Sequence, residues 1–211
     1  MTHRPAGPWN ISELPGPDPA EELVDLGGLL VPMPEEGELR VEVAEGVIVA
    51  ATVVLGGSAV QLQAFAAAED GAWEGFRAGL VRGVVADGGT AVVVPGTFGP
   101  EVRARVDQEE PDGTRYGQEV RFVGVDGPGW MLRGVFSGLI ARRPGRLAGP
   151  LAETFRRTVV VPPGYPMQPE ETIPLYLPED TGELIEDPDP QGQVRRPRTR
   201  RPRLHLRRRR T

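Results

Sequence analysis

From Pro162 onward proline returns at positions 162, 163, 166, 169, 174, 178, 188, 190, 197 and 202. That spacing forbids a helix or a central strand of any length in this part of the chain, because each ring removes a backbone donor and fixes φ. Regular structure must therefore be built before it. Glycine (28) and proline (23) together make up about a quarter of the 211 residues, close to where low-complexity chains begin. A small core and much irregular chain are expected, in one domain with appendages.

The ordered part announces itself at Leu39, where Leu39, Val41 and Val43 alternate with Arg40, Glu42 and Ala44 at the period of a half-buried strand. Val47 to Leu55 is nearly unbroken and β-branched, and Gly56-Gly57 turns it through a tight hairpin into a return strand at about 59–67. Residues 72–86 switch to a helical period, with Trp73, Phe76, Leu80 and Val84 on one face and Asp87-Gly88-Gly89 as the stop. Gly75, Gly79 and Gly83 form an adjacent ridge, each costing roughly 1 kcal/mol against Ala. Close approach of the helix to a sheet or neighbouring helix is the expected compensation, and docking of a partner helix is the alternative. Four further strands fit at 90–94, 101–106, 119–125 and 130–137. In the second, Glu101, Arg103 and Arg105 are expected on a solvated face, which favours an antiparallel meander. Pro111-Asp112-Gly113 reads as a loop. Pro150 opens a short helix with Leu151, Phe155 and Val159 on its apolar stripe, with an already extended Val159 to Val161 as the alternative at its end, and Ile173, Leu175 and Leu177 read as an edge strand.

The expected fold is α+β: a single twisted, mainly antiparallel sheet with two helices on one face. An extended arm covers residues 1–38, the α+β domain 39–180, and a disordered tail 181–211, acidic and then Arg-rich.

Composition removes most catalytic options. There is no cysteine, hence no disulfide, thiolate or zinc–sulfur site. All 24 basic residues are Arg, so lysine chemistry is absent, and His3 and His205 lie outside the expected core. Carboxylate pairs at Glu21-Glu22, Glu35-Glu36, Glu109-Glu110, Glu170-Glu171 and Glu179-Asp180 fall in loops where nothing desolvates them. No cofactor and no metal site is expected. The longest apolar run is nine residues and the N-terminus carries no apolar signal region, so neither a membrane span nor an export signal is expected.

Two stretches remain. Residues 122–138, Phe-Val-Gly-Val-Asp-Gly-Pro-Gly-Trp-Met-Leu-Arg-Gly-Val-Phe-Ser-Gly, read as strand, turn, strand, with Asp126, Trp130 and Arg133 as candidate binding residues. No catalytic residue is assigned. Backbone needs alone account for the turn, with Asp126 bonding local N–H groups, and Leu132 in place of a third glycine argues against a dinucleotide site. The second stretch is the tail. Residues 195–211 hold Arg195, Arg196, Arg198, Arg200, Arg201, Arg203, Arg207, Arg208, Arg209 and Arg210 with no acid, leaving 14 Arg against all 30 acids in the body. Such an arm suits phosphate backbones of nucleic acid or another polyanion, without aromatics for base stacking. Contact with its own acidic body and a functionless extension are the competing readings.

Gly7-Pro-Trp-Asn-Ile-Ser-Glu13, Val24 to Pro32, Phe122 to Gly138 and Thr172 to Pro178 occur in an order that resembles the actinobacterial domain of unknown function 3710, over about residues 7–180. The resemblance implies a soluble cytoplasmic protein and supplies no activity, cofactor or catalytic residue. Its members stop near the equivalent of Glu179, which leaves the acidic and Arg-rich tail as this chain's own addition. Scarce catalytic side chains and many apolar ones point to a non-catalytic protein-binding or adaptor domain, homodimeric, with a basic tail that contacts nucleic acid. The alternative is an enzyme using Asp126 and Arg133.

Overall fold

The computed structural model describes residues 7–14, 23–44, 46–68, 71–109 and 115–177. The Pro111-Asp112-Gly113 loop, five members of the carboxylate pairs (Glu21, Glu22, Glu110, Glu179 and Asp180), and the entire Arg-rich tail lie outside them.

The strands are β1 (Trp9–Asn10), β2 (Leu23–Asp25), β3 (Leu29–Pro32), β4 (Glu38–Ala44), β5 (Val47–Leu55), β6 (Ser58–Ala66), β7 (Thr90–Gly96), β8 (Gly99–Glu109), β9 (Arg115–Gly127), β10 (Trp130–Gly138) and β11 (Val159–Val160). The helices are α1 (Ala72–Ala86), α2 (Leu139–Arg142) and α3 (Pro150–Arg157), with a short 3₁₀ turn at Ile11–Glu13. β-Branched content makes β5, and Gly56 and Gly57, at φ 54° and 73°, supply the two positive-φ positions of a hairpin that sets Leu55 opposite Ser58. Proline at the first position of α3 costs that helix nothing, since its missing donor would have no partner there.

The strands form two sheets. The larger is antiparallel in the order β4-β5-β6-β10-β9-β8-β7. The smaller is mixed, in the order β1-β11-β3-β2, with β1 parallel to β11. From β6 the chain crosses the large sheet through α1 and enters β7 at the far edge. The meander β7-β8-β9-β10 then walks back until β10 pairs with β6, so α1 must span the strands between.

This corrects the expected single sheet with helices on one face. Short pieces of the residue 1–38 arm, together with Val159–Val160, hydrogen-bond into a second sheet whose Leu29, Leu30 and Val31 are all buried. A strand covered on both sides shows no alternation to read. The helices also lie on opposite faces of the large sheet: Trp73 of α1 covers Gly124 on one, and Phe155 of α3 covers Gly134 on the other, while Gly124 pairs with Arg133, the neighbour of Gly134. The main core fills the α3 side, where Leu26, Leu29, Val53, Leu62, Trp130, Phe136 and Phe155 are fully enclosed. Each such side chain contributes roughly 1.5–3 kcal/mol. The α1 side holds two smaller clusters, around Val84, Val102, Ala104 and Val120 and around Phe65, Trp73 and Met131. Ile173 and Leu175 bond to Ala64 and Ile48 as isolated bridges beside both sheets, where an edge strand was expected.

The glycine ridge of α1 is a second correction. A Cβ on Gly75 or Gly83 would meet nothing, and one on Gly79 only the far end of Arg82. Among the described residues no close approach accounts for these glycines.

Candidate functional site

The hairpin over residues 122–138 is a packing device built on glycine. Pro128 and Gly129 form its two-residue turn, with Gly129 at φ 78°, so that Gly127 faces Trp130. Proline first and a positive φ second is the signature of a type II turn. A Cβ on Gly127 would enter the Trp130 ring, and one on Gly124 the indole of Trp73. On Gly134 it would lie 2.7 Å from the Phe155 ring. Three glycines thus floor three aromatic rings on the two sides of one hairpin.

The candidate residues are divided between those sides. Trp130 is fully buried in the main core. Asp126 and Arg133 face α1, and there Asp126 does something the turn does not explain: its Oδ1 accepts from the backbone N–H of Trp73 at 2.9 Å. Gly71, the residue at the helix start, has φ 97° and no side chain to offer. A carboxylate from β9 therefore caps α1 across the fold, where negative charge also suits the helix dipole.

Arg133 is held by aromatic faces. Its guanidinium carbon lies 5.3 Å from the ring centroids of both Phe65 and Phe76, and Nη2 donates to Oε1 of Gln63. Burial holds its pKa below the ordinary arginine value, with the Glu42 charge acting against that. The Trp73 indole sits on Gly124, the direct register partner of Arg133, and donates its Nε1–H to Pro100 O at 2.8 Å.

The most enclosed charges are elsewhere. Glu101 and Arg121 are 0% and 1% exposed, and Glu101 Oε1 accepts from Arg121 Nη2 at 2.6 Å, Arg121 Nε at 3.0 Å and Arg103 Nε at 3.1 Å. Gly145 O accepts from Arg121 and Arg103, so the 143–149 loop is pinned over the cluster, and Leu147 O accepts from Thr97. The expected solvated face of β8 is thus buried at Glu101. Desolvation lowers the Arg121 pKa and the Glu101 charge opposes it. Among the described residues Glu101 Oε2 and Arg121 Nη1 meet no hydrogen-bonding group. The sequence signal, an arginine in register with Val123 and Val125, was there to be read.

The two edges of the large sheet differ. β4 carries Glu38, Arg40 and Glu42 and a register shift at Glu42/Val43. β7, Thr-Ala-Val-Val-Val-Pro-Gly, carries no charge, and Val92 and Val93 are 58% and 49% exposed. Among the described residues no three His, Cys, Asp or Glu gather to hold a metal, and no helix is long and apolar enough to cross a membrane.

Fold and hairpin together define a two-sheet α+β domain organised by aromatic rings seated on glycines. Residues 7–183 match the family described as protein of unknown function (DUF3710), and the chain belongs to that family. No curated protein and no solved structure matches it.

Proposed function

We propose that the chain is a non-catalytic protein-binding domain whose contact element is the outer edge of β7. The observation that carries this reading is the composition of that edge. Seven residues without a charge present two half-exposed valines, one on each face, beside a row of main-chain groups that no other strand among the described residues pairs with. The opposite edge, with its charges and bulge, is of the kind that resists pairing. Against the enzyme alternative stands the structural work both residues already do, Asp126 Oδ1 capping α1 and Arg133 Nη2 donating to Gln63 beside the Phe65 and Phe76 rings. The ten arginines of residues 195–211 support a second contact, to the phosphate backbone of a polyanion.

A photo-crosslinking amino acid at position 92, expressed in the protein's native cells, tests the reading. Discrete protein adducts are expected at position 92 and none at position 40 on β4. Adducts absent at 92 would overturn it.

A further inference from the structure

We infer that the occupant of the β7 edge is a second copy of this chain, its β7 antiparallel to the first about a two-fold axis at Val92; this rests on the protein-binding reading above. Because side chains alternate across a sheet, directly opposite residues must share a face. A two-fold axis perpendicular to a continuous sheet therefore passes midway between a residue and its own mate. In the apolar run Thr90–Val94 that central residue is Val92. Val92 then meets Val92, Ala91 meets Val93, and Thr90 meets Val94, which are the β-branched cross-strand pairs that stabilise sheets.

Self-pairing usually fails on charge, since each charged residue near the axis meets its own copy. β7 has none to repel, and a partner strand that suits both of its faces must be uncharged and β-branched, as β7 itself is. Pro95 has no N–H to donate, so pairing ends where the run ends. The face covered by α1 carries Val93, 49% exposed, and Val85 in the last turn of the helix is 55% exposed. β4, charged and bulged, cannot extend the assembly, so association stops at two. Five residues a side make a small interface, which places the dimer at the weak, concentration-dependent end of the range.

Sedimentation of the full 211-residue chain from low micromolar to high micromolar concentration is the test. The mass is expected to rise from 22.8 kDa toward twice that value. Val92→Lys sets two lysines opposite each other and is expected to stay monomeric with an unchanged far-UV spectrum, because Val92 is exposed in the single chain. An equimolar mixture of Val92→Lys and Val92→Glu should recover the heavier species. Independently of any variant, amide exchange of residues 90–94 in the wild-type chain should slow as concentration rises. A wild-type chain that is monomeric throughout, a dimer that survives Val92→Lys, or a mixture that does not recover would each overturn self-pairing. The protein-binding reading fails separately, only if the crosslinker at position 92 yields no adducts; adducts of heterologous mass beside a monomeric chain would keep that reading and refute this one.

Discussion

Asp126 stands out by its place in a Gly-rich turn, and its Oδ1 accepts from a backbone N–H 53 positions away along the chain, at the start of α1. Replacing it by alanine removes an N-terminal cap, and a loss of about 1 kcal/mol is expected. Urea unfolding should show this as a lower midpoint at unchanged slope, with amide exchange of residues 72–75 accelerated. Asp126→Asn keeps the acceptor and should stay near wild type. Gly124 gives the opposite of the usual glycine expectation. An alanine inside a strand is ordinarily stabilising by roughly 0.5–1 kcal/mol, yet here the methyl would occupy the Trp73 indole, so Gly124→Ala is expected to cost about 1–3 kcal/mol by overpacking. A melting temperature equal to or above wild type would contradict that assignment. Asp126, Trp130 and Arg133 were thus legible as the unusual residues of the chain. That Trp130 faces one side of the sheet while Asp126 and Arg133 face the other follows from alternation, but the Trp73 ring on Gly124 did not, because nothing local records what a helix 50 residues upstream will lay on a glycine.

The elements themselves were largely written in local pattern. The period of 72–86 defines α1 to the residue, and β5 matches its β-branched run. What pattern left open was which faces are covered. Since the Gly75, Gly79 and Gly83 ridge meets open space, Ala at each should stabilise the helix by about 1 kcal/mol, read as an additive rise in the urea midpoint. A loss at any of them would mean that the ridge is covered after all. β8 and β9 behave differently. Arg121→Met leaves Glu101 buried with Arg103 as its remaining partner, and a cost of about 3 kcal/mol is expected. Replacing both Arg121 and Glu101 with apolar residues of similar volume should recover most of the loss in the same unfolding measurement. If the double variant is no more stable than Arg121→Met, the cluster has a role that packing does not describe. Glu101 and Arg121 escaped the alternation argument because it assigns strand faces without saying which loop will lie on them, and here the 143–149 loop does.

At the scale of the molecule, charge divides the chain more sharply than structure does. Residues 195–211 hold ten arginines and no acid, against an acidic body. Deleting them is expected to leave the melting temperature unchanged and to abolish retention on nucleic acid, with the full chain's binding falling steeply as salt is raised. Binding by the truncated chain, or binding that persists at high salt, would remove the polyanion contact. Local sequence, by itself, determined the helix, the hairpins and their glycine turns, since those depend on side-chain period and on φ at single residues. Only the tertiary structure decided that Leu23–Asp25, Leu29–Pro32 and Val159–Val160 join in a second sheet, that β6 pairs with β10 rather than β7, and that Asp126 serves α1. Those choices rest on contacts between segments far apart in the chain, where burial and hydrogen-bond satisfaction of the whole outweigh any preference a short stretch can express.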